Sequence, residues 1–218
     1  MALVRRRRPN VDTFPYSDRK CRPLNHAANW SSSHVGGGAI AAPFRTHVNT
    51  SIAVNSRGLF YATLFDMNSG NLSIGIIDWD KRLEIHVDLA RVGDDVQCIG
   101  RLQLKSVNTQ GVLAALGLGL EINNFAVNGE GYGTALGTVA LAALTSNRVM
   151  RFKIVLTPGV SIAFYQNGVL MGTLTGTAVP VGNSGGQDYC VVSIINGAAG
   201  AVDCNLIIDN FWVVQWIV

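Results

Sequence analysis

The sequence predicts an all-β fold, an antiparallel sandwich or barrel. Three observations carry this. Runs rich in Val, Ile, Leu, Phe and Tyr recur with apolar residues at every second position. Clusters of Gly, Asn, Asp and Ser interrupt them at intervals of roughly 8–12 residues. No segment shows the 3.6-residue apolar repeat of an amphipathic helix.

The elements begin after a basic leader that ends near Pro23. Residues 25–51 are rich in Asn, Ser, Gly and His, with a break at Gly36-Gly37-Gly38. Thr50–Val54 alternates, and Leu59–Phe65 is an aromatic, β-branched strand. Asp66–Asn71 is a turn, and Leu72–Ile77 is the returning strand. In Arg82–Leu89, the residues Leu83, Ile85, Val87 and Leu89 face one way while Glu84, His86 and Asp88 face the other. Gly93-Asp94-Asp95 turns the chain into Val96–Val107, which alternates again. Val112–Ile122 is apolar, and its Gly117 and Gly119 suit a strand on a tightly packed sheet better than a helix. Residues 123–137 read as a long polar, glycine-rich loop, and Thr138–Leu144 as a strand. Val149–Leu156 alternates up to the turn at Thr157-Pro158-Gly159. Val160–Gln166 and Val169–Leu174 flank Asn167-Gly168, the dipeptide that a type I′ hairpin needs because both turn positions take positive φ. Tyr189–Ile195 and Val202–Ile208 flank Asn196–Gly200 and read as a second hairpin. Asn210–Val218 reads as a terminal strand tied into a sheet.

With 218 residues the chain is long enough to bury a sizeable core. Hydrophobic residues make up 48% and charged residues only 14%, so disorder is excluded and the surface is built from Ser, Thr, Asn, Gln and Gly. No apolar stretch reaches the roughly 18 residues of a membrane-spanning helix. The net charge of +3 is unevenly placed. Residues 1–22 hold seven basic side chains (Arg5, Arg6, Arg7, Arg8, Arg19, Lys20 and Arg22) against Asp12 and Asp18, a balance of +5 that leaves −2 for the rest. Such arms meet nucleic acid, acidic lipid or acidic protein. No aromatic interleaving or base-reading motif accompanies this one, so docking on protein is favoured over nucleic acid. Pro9-Asn10-Val11-Asp12 stands where a secretory signal would be apolar, so synthesis in a cytoplasm is expected. The cysteines at 21, 98, 190 and 204 form no C-x-x-C pair, so no metal site or cofactor is expected. Cys190 and Cys204 lie diagonally across the second expected hairpin, but a reducing site of synthesis argues against a disulfide.

Three segments are candidates for chemistry. Glu84, His86 and Asp88 share one strand face at i, i+2 spacing of about 6.6–6.8 Å, which suits a solvated polar face. Asp66-Met67-Asn68-Ser69-Gly70 starts like a calcium loop, but its twelfth position is Ile77, so an Asx turn is expected. Gly129-Glu130-Gly131-Tyr132-Gly133 precedes no helix and is no phosphate cradle. It reads as a surface loop that offers Tyr132 to a partner or a sugar.

The last third of the chain resembles a known family. Arg151–Leu156, the hairpin Val160–Thr173 with Phe164-Tyr165-Gln166-Asn167-Gly168 at its turn, and Leu206–Val214 with Asp209-Asn210-Phe211 are similar to the concanavalin A-like lectin/glucanase (laminin-G-like) jelly roll. The resemblance implies a jelly-roll β-sandwich over residues 25–218, with residues 1–24 as an extended N-terminal arm. It also implies virion proteins of tailed phages, among them decoration (cement) proteins, head fibres and tail components. The expectation is therefore a non-enzymatic capsid decoration protein, located in the virion. Its basic arm would bind the major capsid protein or another virion subunit, and it would self-associate, for instance as a trimer. Two alternatives stand beside it. A lectin-like module predicts Trp79 or Tyr132 exposed over a sugar groove. A glycanase would need converging carboxylates, and His86 stands where that family's strand motif has its central one.

Overall fold

The computed structural model describes residues 11–13, 30–35, 40–41, 46–49, 57–64, 78–92, 98–107, 114–182, 187–196 and 205–216. Fifteen strands run through them: β1 (Val11–Thr13), β2 (Trp30–Val35), β3 (Ile40–Ala41), β4 (Thr46–Asn49), β5 (Arg57–Leu64), β6 (Leu83–Val92), β7 (Cys98–Val107), β8 (Ala114–Asn123), β9 (Ala126–Tyr132), β10 (Leu136–Ala140), β11 (Met150–Thr157), β12 (Ser161–Gln166), β13 (Val169–Thr175), β14 (Gln187–Asn196) and β15 (Asn205–Trp216). A single 3-10 turn, Gly176–Ala178, is the one helical element among the described residues.

The strands form two antiparallel sheets. An eight-stranded sheet runs β13-β12-β11-β6-β15-β4-β3, with β1 beside the end of β15, and a seven-stranded sheet runs β10-β9-β8-β7-β14-β5-β2. The expected sandwich is what the chain builds. Alternation explains why. Leu83, Ile85, Val87 and Leu89 of β6 and Phe152, Ile154 and Leu156 of β11 point inward, where they meet Leu102 and Leu104 of β7 and Leu118, Leu120 and Ile122 of β8. Each of these side chains is almost wholly buried, a gain of about 1.5–3 kcal/mol per residue. The Asn167-Gly168 turn is also as expected, with φ of 51° and 84° joining β12 to β13.

Two expectations are corrected. Residues 123–137 are not a loop. Asn124 turns the chain at φ 59°, and β9 pairs with β8 from Ala126↔Asn123 to Tyr132↔Gly117. Its glycines hide the alternation, because Gly129 and Gly131 occupy inward positions where a large apolar residue would normally announce a strand. Nor do β14 and β15 form a hairpin. Both edges of β14 are taken by β5 and β7, and β15 pairs with β6 in the opposite sheet, so the connection crosses the sandwich. The hairpin that would have placed Cys190 diagonal to Cys204 is therefore absent. The calcium-like turn at Asp66, the strands expected at Thr50–Val54 and Leu72–Ile77, and the cysteine side chains lie outside the described residues.

Candidate functional site

The outer face of the seven-stranded sheet gathers a polar cluster over β7, β8 and β9. Because inward and outward residues alternate, the buried Leu102 and Leu104 put Arg101, Gln103 and Lys105 on the outside. The same rule puts Gly117, Gly119 and Glu121 outside on β8, and Asn128, Glu130 and Tyr132 outside on β9. Register then sets the rows: Gln103 stands opposite Gly119, which stands opposite Glu130, and Lys105 opposite Gly117, which stands opposite Tyr132.

Glycine in the middle strand lets the outer two rows touch. With no side chain at Gly119 to block it, Gln103 Nε2 reaches across β8 and donates to Glu130 Oε2 at 2.9 Å and to Tyr132 Oη at 3.0 Å. Tyr132 Oη in turn donates to the same Oε2 at 2.7 Å. Glu130 is only 2% exposed, and this amide and phenol satisfy its buried carboxyl. Burial pushes the Tyr132 phenol well above its ordinary range, and the Glu130 carboxyl at its hydroxyl pushes the same way. One row away, Arg101 pairs with Glu121 through Nε at 3.0 Å and through Nη2. That pairing raises the Arg101 guanidinium above its ordinary value against the desolvation that would lower it.

The outer face of the other sheet holds Glu84, His86 and Asp88. They are spread along β6 and matched locally rather than gathered. Arg82 Nη2 donates to Glu84 Oε1 at 2.9 Å, His86 Nε2 lies 3.2 Å from Glu84 Oε2, and Arg151 Nε donates to Asp88 Oδ1 at 3.2 Å. The His86 contact, opposed by burial and helped by Arg82, holds the Glu84 carboxyl below its ordinary range. Lys153 lies 4.5 Å over the Tyr165 ring. Among the described residues no second carboxylate converges on Glu84, and the expected solvated face is corrected: Asp88 is buried and Glu84 and His86 are partly buried, held by these pairings. Among the described residues no cluster of three or more His, Cys, Asp or Glu is placed to hold a metal ion.

The sequence-expected residues fare differently. Arg5, Arg6, Arg7, Arg8, Arg19, Lys20 and Arg22 lie outside the described residues. Trp79 is corrected: it is 0% exposed and lines the core, with Nε1 donating to Ser106 Oγ at 3.0 Å. The lectin-like alternative predicts it exposed over a sugar groove. The indole instead folds under its own turn, because Asp78 and Asp80 cap backbone N–H groups at the surface and Ser106 satisfies the buried N–H. Tyr132 is half-buried on a strand rather than free on a loop. Gln103, Arg101 and Glu121 went unsingled. Their signal was present in Val96–Val107 and in Asn128, Glu130 and Tyr132, which keep period-two polarity on one face.

No family model and no characterised protein matches this sequence. Solved structures do match. A Bacillus licheniformis β-glucanase superposes with a TM-score of 0.61 at 13% identity, over 95% of this chain and 98% of the enzyme. The fold is a concanavalin A-like jelly roll. A sialidase gives a TM-score of 0.57 at 12% identity over 85% of this chain, which spans 17% of that enzyme. The binding domain of botulinum neurotoxin DC, solved with rat synaptotagmin II, gives 0.55 at 14% identity over 86% of this chain and 43% of its own. A botulinum neurotoxin type C structure described by its interaction with two ganglioside molecules gives the same score and identity. The expectation of a protein without catalysis does not stand, since this jelly roll is carried by a glucanase and a sialidase as well as by binding domains. The likenesses give no support to a capsid partner.

Proposed function

We propose that this jelly roll recognises carbohydrate on the outer face of its seven-stranded sheet, over β7, β8 and β9. The observation that carries the reading is the fixed set Gln103, Glu130 and Tyr132. A saccharide needs donors and acceptors in set directions for its hydroxyls and an amphipathic ring for its C–H face. Here the partly buried Gln103 amide and Tyr132 phenol are held in place by the buried Glu130 carboxyl, beside the Arg101–Glu121 pair and next to the bare backbone of Gly117. Locking lowers the ordering cost of binding. Fold neighbours that include a glucanase and a ganglioside-binding domain agree with a sugar-directed surface. Carboxyls are also the groups that cleave glycosidic bonds, so a reducing-end assay belongs beside the binding assay. An oligosaccharide array tests the reading: the full chain binds a subset of glycans, and Tyr132→Ala or Gln103→Ala removes that binding. Binding that both variants retain, or an array with no binding, overturns it.

A second reading, docking on a virion lattice, is favoured by the +5 leader and by the edge strand β13, whose Val169 and Leu170 are 62% and 53% exposed. It predicts co-sedimentation with particles that is lost when residues 1–22 are deleted. Full occupancy by the truncated chain overturns it.

A further inference from the structure

Among the described residues of this sheet face, Lys105 is a cation without an acidic side chain beside it. Arg101 has Glu121, and in the described structure nothing ion-pairs with or accepts a hydrogen bond from the Lys105 ammonium. Its charged neighbour is instead Arg101, two residues along the same face. The ammonium is also half-buried. Desolvation and then the Arg101 charge hold it below the ordinary lysine range. A half-buried ammonium facing a like charge is an unfavourable resting state, and an anion placed against it would relieve both costs.

The register says where that anion would sit. Lys105 and Tyr132 flank Gly117, two inter-strand spacings apart, or about 9.5 Å. Strand β8 contributes no side chain there, and its backbone lies so tightly on β7 that a Cβ on Gly117 would come 3.1 Å from Lys105 Cβ. In the adjoining row Gln103 spans the equivalent gap over Gly119, but among the described residues no side chain spans Gly117. The result is a bare strip of peptide with a phenol on one side and an unmatched ammonium on the other.

Resting on the carbohydrate reading above, we infer that the saccharide bound on this face is acidic, and that Lys105 receives its carboxylate or sulfate over Gly117. The neutral part of the sugar then lies against Tyr132 and Gln103. A charge-assisted contact of this kind separates acidic from neutral ligands by about tenfold or more.

The test titrates the full chain with three oligosaccharides of equal length: a neutral β-glucan fragment, a polyuronate fragment and a heparin fragment. Wild type binds one of the acidic fragments at least tenfold tighter than the neutral one, and which of the two wins distinguishes carboxylate from sulfate. Lys105→Gln reduces that fragment to the affinity of the neutral one, while Lys105→Arg keeps the preference. A chain carrying Arg5→Ser, Arg6→Ser, Arg7→Ser and Arg8→Ser behaves as wild type, which separates the sheet from the basic leader. Equal affinities for neutral and acidic fragments overturn the inference and leave the carbohydrate reading intact. So does a preference that survives Lys105→Gln or disappears with the four leader substitutions. Failure of both acidic fragments to bind overturns the inference, and the carbohydrate reading falls with it only where the oligosaccharide array shows no binding either.

Discussion

The Phe164 ring on β12 occupies the space that a side chain at Gly129 on β9 would need: a Cβ there would come within 2.5 Å of Phe164 Cδ1. The two sheets approach each other through that pair, and Phe164 is wholly buried by it. Gly129→Ala is therefore expected to destabilise the fold by about 1–3 kcal/mol through overpacking. Because Phe164 supplies the clash, Phe164→Leu should recover part of the loss in the double variant. Urea denaturation of the two singles and the double reads this as a coupling energy. Strict additivity would show that the contact does not set the sheet spacing.

The indole of Trp79 makes the second prediction. Its N–H donates to Ser106 inside the core. Trp79→Phe loses that bond and some volume, and is expected to cost about 1–3 kcal/mol in chemical denaturation. If Trp79 were a surface sugar contact, the same change would leave stability within about 0.5 kcal/mol.

Tyr132 should govern part of the alkaline limit. Its phenol ionises well above the ordinary 10.0, first through burial and then through Glu130. A raised folded pKa gives stability that is whole below the unfolded value and lost as pH climbs through the folded one. The difference in 295 nm absorbance titration between wild type and Tyr132→Phe should thus place its midpoint above 10. Glu130→Gln should move that midpoint down but not fully back, since desolvation remains. A midpoint at the ordinary value would contradict the buried network.

Glu84 acts at the acid end with the opposite sign. His86 leads in holding its carboxyl below the ordinary 4.5, so its contribution to stability is present above that value and is lost as pH falls through the lowered one. Stability measured downward from pH 4.5 should fall less steeply in Glu84→Gln than in wild type. Equal slopes would mean that the His86 contact is not made in solution.

Much of the fold is written in local pattern. Leu83, Ile85, Val87 and Leu89 announce β6 by period two, and Asn167-Gly168 announces the β12–β13 turn by the need for positive φ. What escapes the sequence is whatever depends on the opposite sheet. The β9 strand looks like a loop because its inward positions are Gly129 and Gly131, and their apolar complement comes from Phe164 and Ile162 more than 30 residues on. The β14–β15 crossover looks like a hairpin because only their partners, β7 and β6, reveal that the two strands belong to different sheets. Trp79 looks exposed until Ser106, 27 residues away, accepts its N–H. The site was half legible: Tyr132 stood out as an aromatic among glycines, whereas Gln103 gains its role only when Gly119 lets it cross to Glu130.

The most direct test of the sugar-directed sheet face is nitrogen-15 NMR of the full chain during titration with the tightest oligosaccharide from the array. Amide shifts are expected to concentrate at 101–105, 117–121 and 128–132, and to be absent from the outer face of β6 and β11. Shifts concentrated around Glu84, His86 and Lys153 instead would contradict the assignment of the binding face.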